Sequence, residues 1–372
     1  MSLLCLSESD VARVTSNFSP TALQTLMAHV FSLLCAPGNP EIPLSYTPHR
    51  ISVPMQNHLA LFMPARIAQH GTLCGTSIKV VSVPASSTDH RGLPASTLVL
   101  DEETGAAKAI INATNLTALR NAAGSLLSCS LVGPRAPASV VAFGSGAQIE
   151  AHLALHLRAF PSIRRCTIVN RSLNDRTLKL VERISAGFPE VRTVCLANDA
   201  AAPSTTLNTD LQAALLSAHL IICATSSTVP LFPSFWVRAG THIVLVGSYK
   251  PTMHEIDSTL LQRAIPADAN TPTASGLLVD SRAACFAEAG ELIDAGVSGS
   301  QVVEIGELVS FGADGELCLD PERRSLPAET GSTTGPVTIF KSVGVGLQDV
   351  AIACAVVQQA EEMGIGHHVD WA

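Results

Sequence analysis

The chain has 372 residues, a formal net charge of −8 and 47% hydrophobic residues. With no basic stripe to displace counterions, that acidic balance excludes a nucleic-acid partner held by phosphate contacts. No run of about 18 uninterrupted apolar residues occurs, so a membrane span has no support.

The longest apolar candidate, Met27–Ala36, contains His29 and Ser32 and stops at Pro37-Gly38. The excess apolar character therefore points to a large core plus a buried subunit interface. The opening residues lack the basic start and long apolar stretch of a secretory leader. Ten cysteines are scattered singly, and several sit in apolar runs, as Cys166, Cys195 and Cys223 do. This is the usage of small buried thiols in a reducing compartment, and no zinc-ligand spacing is present. The expectation is a soluble, cytoplasmic protein.

Along the chain, Asp10 to Leu34 has helical spacing with a turn at Ser19-Pro20. Beyond Pro54 come extended runs at His58–Met63, Ser77–Val83 and Ala95–Leu100, then a turn at Asp101–Gly105 and a further strand to Ala113. A hairpin-rich sheet is the simplest reading. Thr114–Leu131 reads as a helix rich in Ala and Leu, and Gly133–Pro137 punctuates the chain.

After that point short apolar runs alternate with helices: Ser139–Phe143, Cys166–Val169, Val191–Leu196, His219–Ala224 and His242–Val246. Such alternation predicts βαβ units and a parallel sheet covered on both faces. The fold class is thus α/β: a Rossmann-type doubly wound parallel sheet over residues 134–312, with a discontinuous α+β domain built from 1–133 and 313–372. The stretch Ile339–Gly344 and a helix over Leu347–Met363 are expected to pack back on the first domain, without strand partners of their own.

Phe143 is followed by Gly144, Ser145, Gly146, Ala147 and Gln148, between a strand and a helix. The first glycine permits a tight turn, and the second lets backbone approach a pyrophosphate. The helix start then offers N–H groups to the anion. The next strand ends in Asn170, Arg171 and Ser172, where an NAD site would place an acid for the ribose hydroxyls. A guanidinium here suits a 2′-phosphate, with Asn170 or Ser172 donating alongside, so the cofactor expected is NADP(H).

These blocks resemble the ornithine cyclodeaminase/mu-crystallin family over nearly the full length. Met63-Pro-Ala65, Lys79-Val-Val81, Gly92-Leu-Pro94, Thr104-Gly105 and Leu116–Arg120 carry the resemblance in the first part. Gly144–Gln148, Ala224–Ser227, Gly240–Ile243, Val246-Gly-Ser248, Glu255-Ile-Asp257, Phe340–Gly344 and Gln348-Asp349 carry it onward. The resemblance implies a Rossmann domain joined to a substrate and dimerisation domain, hence a homodimer. It also implies a carboxylate clamp at Arg50, Lys79 and Arg120.

Two of these stand out physically as well. Lys79 interrupts an apolar strand and Arg120 lies in an apolar helix, where a cation is costly without an anion. Cyclodeaminases of the family carry an aspartate where this chain has Tyr249, and a neutral phenol cannot replace a carboxylate. The pattern therefore sits nearer the ketimine-reductase side.

The implied reaction is NADPH-dependent reduction of a C=N bond in a small carboxylate-bearing imine. Lys79, Arg120 and Tyr249 are the candidate catalytic residues, and Ser342 and Val343 join the substrate contacts. Thr225, Ser226, Ser227 and Ser248 join Gly144–Gln148 and Asn170–Ser172 at the cofactor. Amino-acid dehydrogenation or cyclodeamination, and a non-catalytic NADPH-binding crystallin role, stay open as alternatives. His254, Glu255 and Asp257 read as a helix start.

Overall fold

A computed structural model describes the chain except residues 1, 37–42, 71–72, 86–91, 199–207, 266–274, 314, 320–333 and 372. Pro37 and Gly38, the expected stop of the apolar run, lie outside the described residues. Two compact units are present: one holds Met1–Arg120 and Val345–Ala372, the other Asn121–Gly344.

The first unit begins with β1 (Ser2–Leu6), α1 (Glu8–Thr15) and α2 (Pro20–Cys35). Ser7 caps α1 in a reciprocal box with Asp10, and Ser19 followed by Pro20 starts α2, so local chemistry sets both helix starts. Then come β2 (Ser45–Tyr46), β3 (Ile51–Pro54), β4 (His58–His70), β5 (Leu73–Pro84), β6 (Ala95–Leu100) and β7 (Ala107–Asn112). Strands β3 through β7 pair antiparallel in sequence order, the hairpin-rich sheet expected from alternation. β1 joins β7 in parallel. The chain then enters α3 (Leu116–Val132), whose Arg120 is the last residue of this stretch of the first unit.

The second unit contains β8 (Ser139–Phe143), α4 (Ala147–Ala159), β9 (Arg165–Asn170), α5 (Asp175–Gly187), β10 (Arg192–Ala197), α6 (Thr209–Leu216) and β11 (Leu220–Cys223). It continues through β12 (His242–Leu245), α7 (Ser258–Gln262), β13 (Leu277–Val279), α8 (Arg282–Glu288), α9 (Gly290–Asp294) and β14 (Val303–Glu304). A small antiparallel ribbon, β15 (Ser310–Phe311) and β16 (Leu317–Cys318), precedes β17 (Thr338–Lys341). The large sheet runs β10-β9-β8-β11-β12-β17-β13-β14, parallel throughout. Alternate residues feed two apolar clusters, Val141, Phe143, Ile221 and Ile243 on one face, Val140, Ala142, Ile222 and Val244 on the other. Burial on both faces explains why these strands read as continuous apolar runs.

β17 corrects one expectation. Thr338–Lys341 is a fully buried strand between β12 and β13, not a partnerless stretch. Thr338 sits beside His242, and a pairing that distant leaves no local trace in sequence. After it the first unit resumes with α10 (Gly346–Met363) and β18 (His367–Asp370), the latter antiparallel to β1.

The second unit also buries three imidazoles, His152, His156 and His242. Their Nε2 atoms meet Ser125 Oγ at 2.9 Å, Cys129 Sγ at 3.4 Å and Ser128 Oγ at 3.0 Å. Burial first, then neighbouring His156, pushes His152 and His242 down to about 3, and burial pushes His156 down to about 4. Their lowered values keep them neutral at ordinary pH, as core groups. No single helix among the described residues is long and apolar enough to cross a membrane.

Candidate functional site

In the second unit β8 is flanked by β9 on one side and β11 on the other, so the chain reverses its direction of winding at β8. Ligands of doubly wound sheets bind outside the strand ends at such a point. Gly144 lies there with φ +116, a conformation closed to most side chains. A Cβ on it would meet Ala224 O at 3.0 Å and Ile149 Cγ1 at 3.2 Å. Gly146 forms the N-cap of α4 without any side-chain hydrogen bond to the helix, and a Cβ there would face open space.

Ala147 and Gln148 open the helix, so its first N–H groups point into that space. The cradle fits a pyrophosphate: an uncapped 13-residue helix presents its positive end beside two glycines. Ser145 is buried and accepts from Arg176 Nε at 3.3 Å. Sequence reasoning passed over Arg176. It is a second guanidinium beside the glycine turn, brought there because α5 starts only a few residues after β9.

At the end of β9, Asn170 donates its amide to Ser172 O at 2.8 Å and Thr177 Oγ1 at 3.0 Å, which shapes the turn. Arg171 and Ser172 are exposed on that turn. Among the described residues no carboxylate occupies the strand end itself.

The loops after β11 and β12 hold the remaining predicted cofactor residues. Thr225 is half-buried and gives both N–H (2.7 Å) and hydroxyl (3.0 Å) to Glu255 Oε1. Ser226 is exposed, whereas Ser227 Oγ donates to Val229 O at 2.6 Å. Ser248 is fully buried, donating to Met253 O at 2.6 Å and accepting from Gly290 N at 3.3 Å. Tyr249, next along, is half-buried, with the Lys250 ammonium 5.7 Å from its ring centre.

After β17, Asp280 Oδ2 accepts Ser342 Oγ at 2.7 Å, Val343 N at 3.0 Å and Gly344 N at 2.7 Å. One carboxylate thus holds the whole Ser342–Gly344 turn. Asp257 does N-cap α7, as a helix start should, but Glu255 is fully buried at the strand ends instead.

In the first unit β5 and α3 deliver two buried cations to one acid on α10. Lys79 Nζ lies 2.7 Å from Asp349 Oδ2, and Arg120 Nε 3.1 Å from Asp349 Oδ1. Arg120 also donates to Gln348 Oε1 at 2.8 Å, and Gln348 Nε2 returns toward Arg120 O at 3.5 Å. Lys79, Arg120 and Asp349 are each no more than 3% exposed.

Burial pushes Lys79 down to about 8, with the Arg120 and Arg50 charges adding and Asp349 opposing. For Asp349 burial acts upward, yet Arg120 and Lys79 hold its carboxyl below the ordinary value. Arg50, half-buried after β2, is therefore close enough for its charge to be felt at Lys79. Gln348 and Asp349 were visible only as a sequence block. An acid followed by Val-Ala-Ile in a buried helix is the signal that could have found them.

Strand order, switch point and glycine turn make the second unit a Rossmann-type α/β fold. The family profile described as "Ornithine cyclodeaminase/mu-crystallin family" matches residues 44–301, and the chain belongs to that family. It is 28% identical over 309 residues to the ketimine reductase mu-crystallin of Mus musculus, covering 82% of each chain.

Among solved structures it is similar to the Thermococcus litoralis Δ1-pyrroline-2-carboxylate reductase in complex with NADH and L-proline. The TM-score is 0.75 at 23% identity, over 99% of this chain and 100% of that one. The iminosuccinate reductase of Paracoccus denitrificans in complex with NAD+ gives a TM-score of 0.75 at 22% identity, covering both chains fully.

Proposed function

We propose that this protein is an oxidoreductase that uses NADP(H) to reduce a C=N bond in a small carboxylate-bearing substrate, with cyclic ketimine acids as the substrate class. The observation that carries the reading is the burial of Lys79 and Arg120 on a single shared carboxylate. Such a costly arrangement in a sheet unit suits recognition of a second anion. The mouse and Thermococcus relatives, a ketimine reductase and a pyrroline-carboxylate reductase, support this substrate class.

On the second unit Gly144, Ser145, Gly146, Ala147 and Gln148 would hold the pyrophosphate, and Thr225, Ser226, Ser227 and Ser248 would shape the walls around it. Arg171, with Asn170 and Ser172, would meet the 2′-phosphate; both structures above contain NAD(H), so this preference rests on the strand end alone. Bound dinucleotide supplies the hydride.

On the first unit Arg50, Lys79 and Arg120 take the substrate carboxylate, fixing the imine carbon in place. Reduction also requires one proton at nitrogen. Lys79, brought down to about 8, carries a proton near neutrality that it can release, and Tyr249 is the second candidate donor. Ser342 and Val343 complete the substrate contacts on a turn stiffened by Asp280. Two copies of the chain would cover the outer face of the first unit's sheet. There Phe62 pairs with Val80, and Ile78, Leu98 and Ile110 lie in register, none of them buried.

The test is oxidation of NADPH and NADH with a panel of cyclic ketimine acids, read together with ammonia release. NADPH is expected to turn over and to be preferred. Arg171→Ala should weaken NADPH binding about tenfold while changing NADH less than about twofold. Equal use of both dinucleotides would remove the role given to Arg171. Ammonia release without net oxidation would mark a cyclodeaminase, and tight binding without turnover would mark a binding protein.

A further inference from the structure

Beneath the strand ends of the second unit lies a cluster of charges with no part in the reaction outlined above. Glu255, Glu291 and Lys341 are 0%, 3% and 0% exposed. Glu255 Oε1 accepts the N–H of Thr225, in the loop after β11, and Oε2 accepts the N–H of Gly247, in the loop after β12, at 2.8 Å. The acid thereby spans two adjacent loops. Its own N–H is held by Glu291 Oε1 at 3.0 Å, and Glu291 Oε2 lies 3.9 Å from Lys341 Nζ. Gly247 has no room for a side chain: a Cβ there would collide with the Thr225 backbone and the Glu255 carboxylate.

We propose that Glu255 is a positioning residue whose ionised carboxylate clamps the Thr225 and Gly247 loops at a fixed spacing, with Lys341 and Glu291 setting its charge. The consequence for the dinucleotide rests on the function proposed above, because these loops are the ones assigned to its walls. A carboxylate accepting backbone N–H groups makes stronger, shorter bonds than a neutral acid does. Protonating Glu255 takes away that advantage.

Two carboxylates facing one ammonium out of water favour uptake of a proton. Burial pushes Glu255 up to about 7, with Lys341 opposing and Glu291 adding. Two neighbouring thiols stay out of that range. Burial and then the Glu255 and Glu291 charges hold the Cys223 thiol on β11 well above its ordinary value. Cys285, on α8, is likewise held up by burial and Asp280. His254, the preceding residue, turns away to Asp294 at 2.8 Å.

The experiment is hydrogen exchange of the dinucleotide-free protein at about pH 6 and about pH 8.5, corrected for intrinsic rates, reading the peptides around Thr225 and Gly247. NADPH affinity is measured in parallel. Wild type should protect both amides about tenfold better at the higher pH, corresponding to one charge-assisted bond. Glu255→Gln should lose that gain, exchange equally at both pH values, and bind NADPH about tenfold more weakly at high pH.

Lys341→Gln provides a second handle should the first variant fold poorly. Without the ammonium, protection should appear only at a higher pH than in wild type. Wild-type exchange in Glu255→Gln, or an unmoved transition in Lys341→Gln, would overturn the clamp. Expected exchange in a protein that binds no dinucleotide would keep the clamp and remove the redox reading. Unchanged exchange in a protein that binds NADPH normally would do the reverse.

Discussion

The two units solve opposite electrostatic problems. In the first, one carboxylate, Asp349, is shared by two cations, Lys79 and Arg120. In the second, one ammonium, Lys341, faces two carboxylates, Glu255 and Glu291. Each cluster is buried, so each would be destabilising unless its members were matched. The first arrangement is the one proposed above to receive another anion. The second turns its negative charge inward to backbone N–H groups of its own loops. A buried ionic cluster therefore does not by itself identify a ligand site. What separates the two is that Asp349 meets side-chain cations, whereas Glu255 spends both oxygens on backbone N–H groups.

The largest expected effect breaks the first cluster. Arg120→Ala should lower turnover by about 10³-fold while leaving NADPH affinity within about twofold, since the variant removes orientation and not the nucleotide site. It should also lower stability by about 3–5 kcal/mol, because Asp349 loses a partner. Arg120→Lys separates the two losses: the charge returns and stability partly recovers, but the forked geometry does not, so turnover stays low. Steady-state kinetics beside denaturant melts read both, and full activity in either variant would end the clamp proposal.

A middle-sized effect sharpens the contrast from the nucleotide side. Gly146→Ala fills open space at an unstrained φ of −90, so the melting temperature should hold within about 1 °C. NADPH affinity should still fall about tenfold, because the methyl occupies the pyrophosphate's approach. A calorimetric titration that found unchanged affinity would move the dinucleotide elsewhere.

The smallest effect concerns the imidazoles between α3, α4 and β12. Their folded values lie below the ordinary 6.5, so the unfolded chain takes up protons first as pH falls. Their contribution to stability should be unchanged above pH 6.5 and be lost from there down toward about 3 to 4. His156→Gln should move the acid-unfolding midpoint down by about 0.3 pH unit, followed by far-ultraviolet circular dichroism.

Much of this was legible from residues alone. Apolar runs such as Ser139–Phe143 and His219–Ala224 marked the parallel strands, because burial on both faces erases alternation. The glycine turn was legible because backbone chemistry dictates its residue types. Lys79 and Arg120 drew notice as charges in apolar surroundings. Their partner Asp349 did not, since an acid near a helix start is ordinary until its neighbours are known. Glu255 failed the same way: beside His254 and Asp257 it looks like a surface helix cap, and only the loop geometry shows it fully enclosed. Thr338–Lys341 gave no sign of its partners because pairing between distant strands leaves nothing in a local window.

The late position of β17 has a bearing on how the chain is made. β12 and β13 flank it, yet both emerge from the ribosome long before residue 338. Until then their facing edges lack this partner, and the nascent sheet is interrupted between β12 and β13. Contacts of such long sequence separation slow folding and leave sticky edges open meanwhile. Folding of the nucleotide unit is thus expected to wait until Thr338–Lys341 has been made.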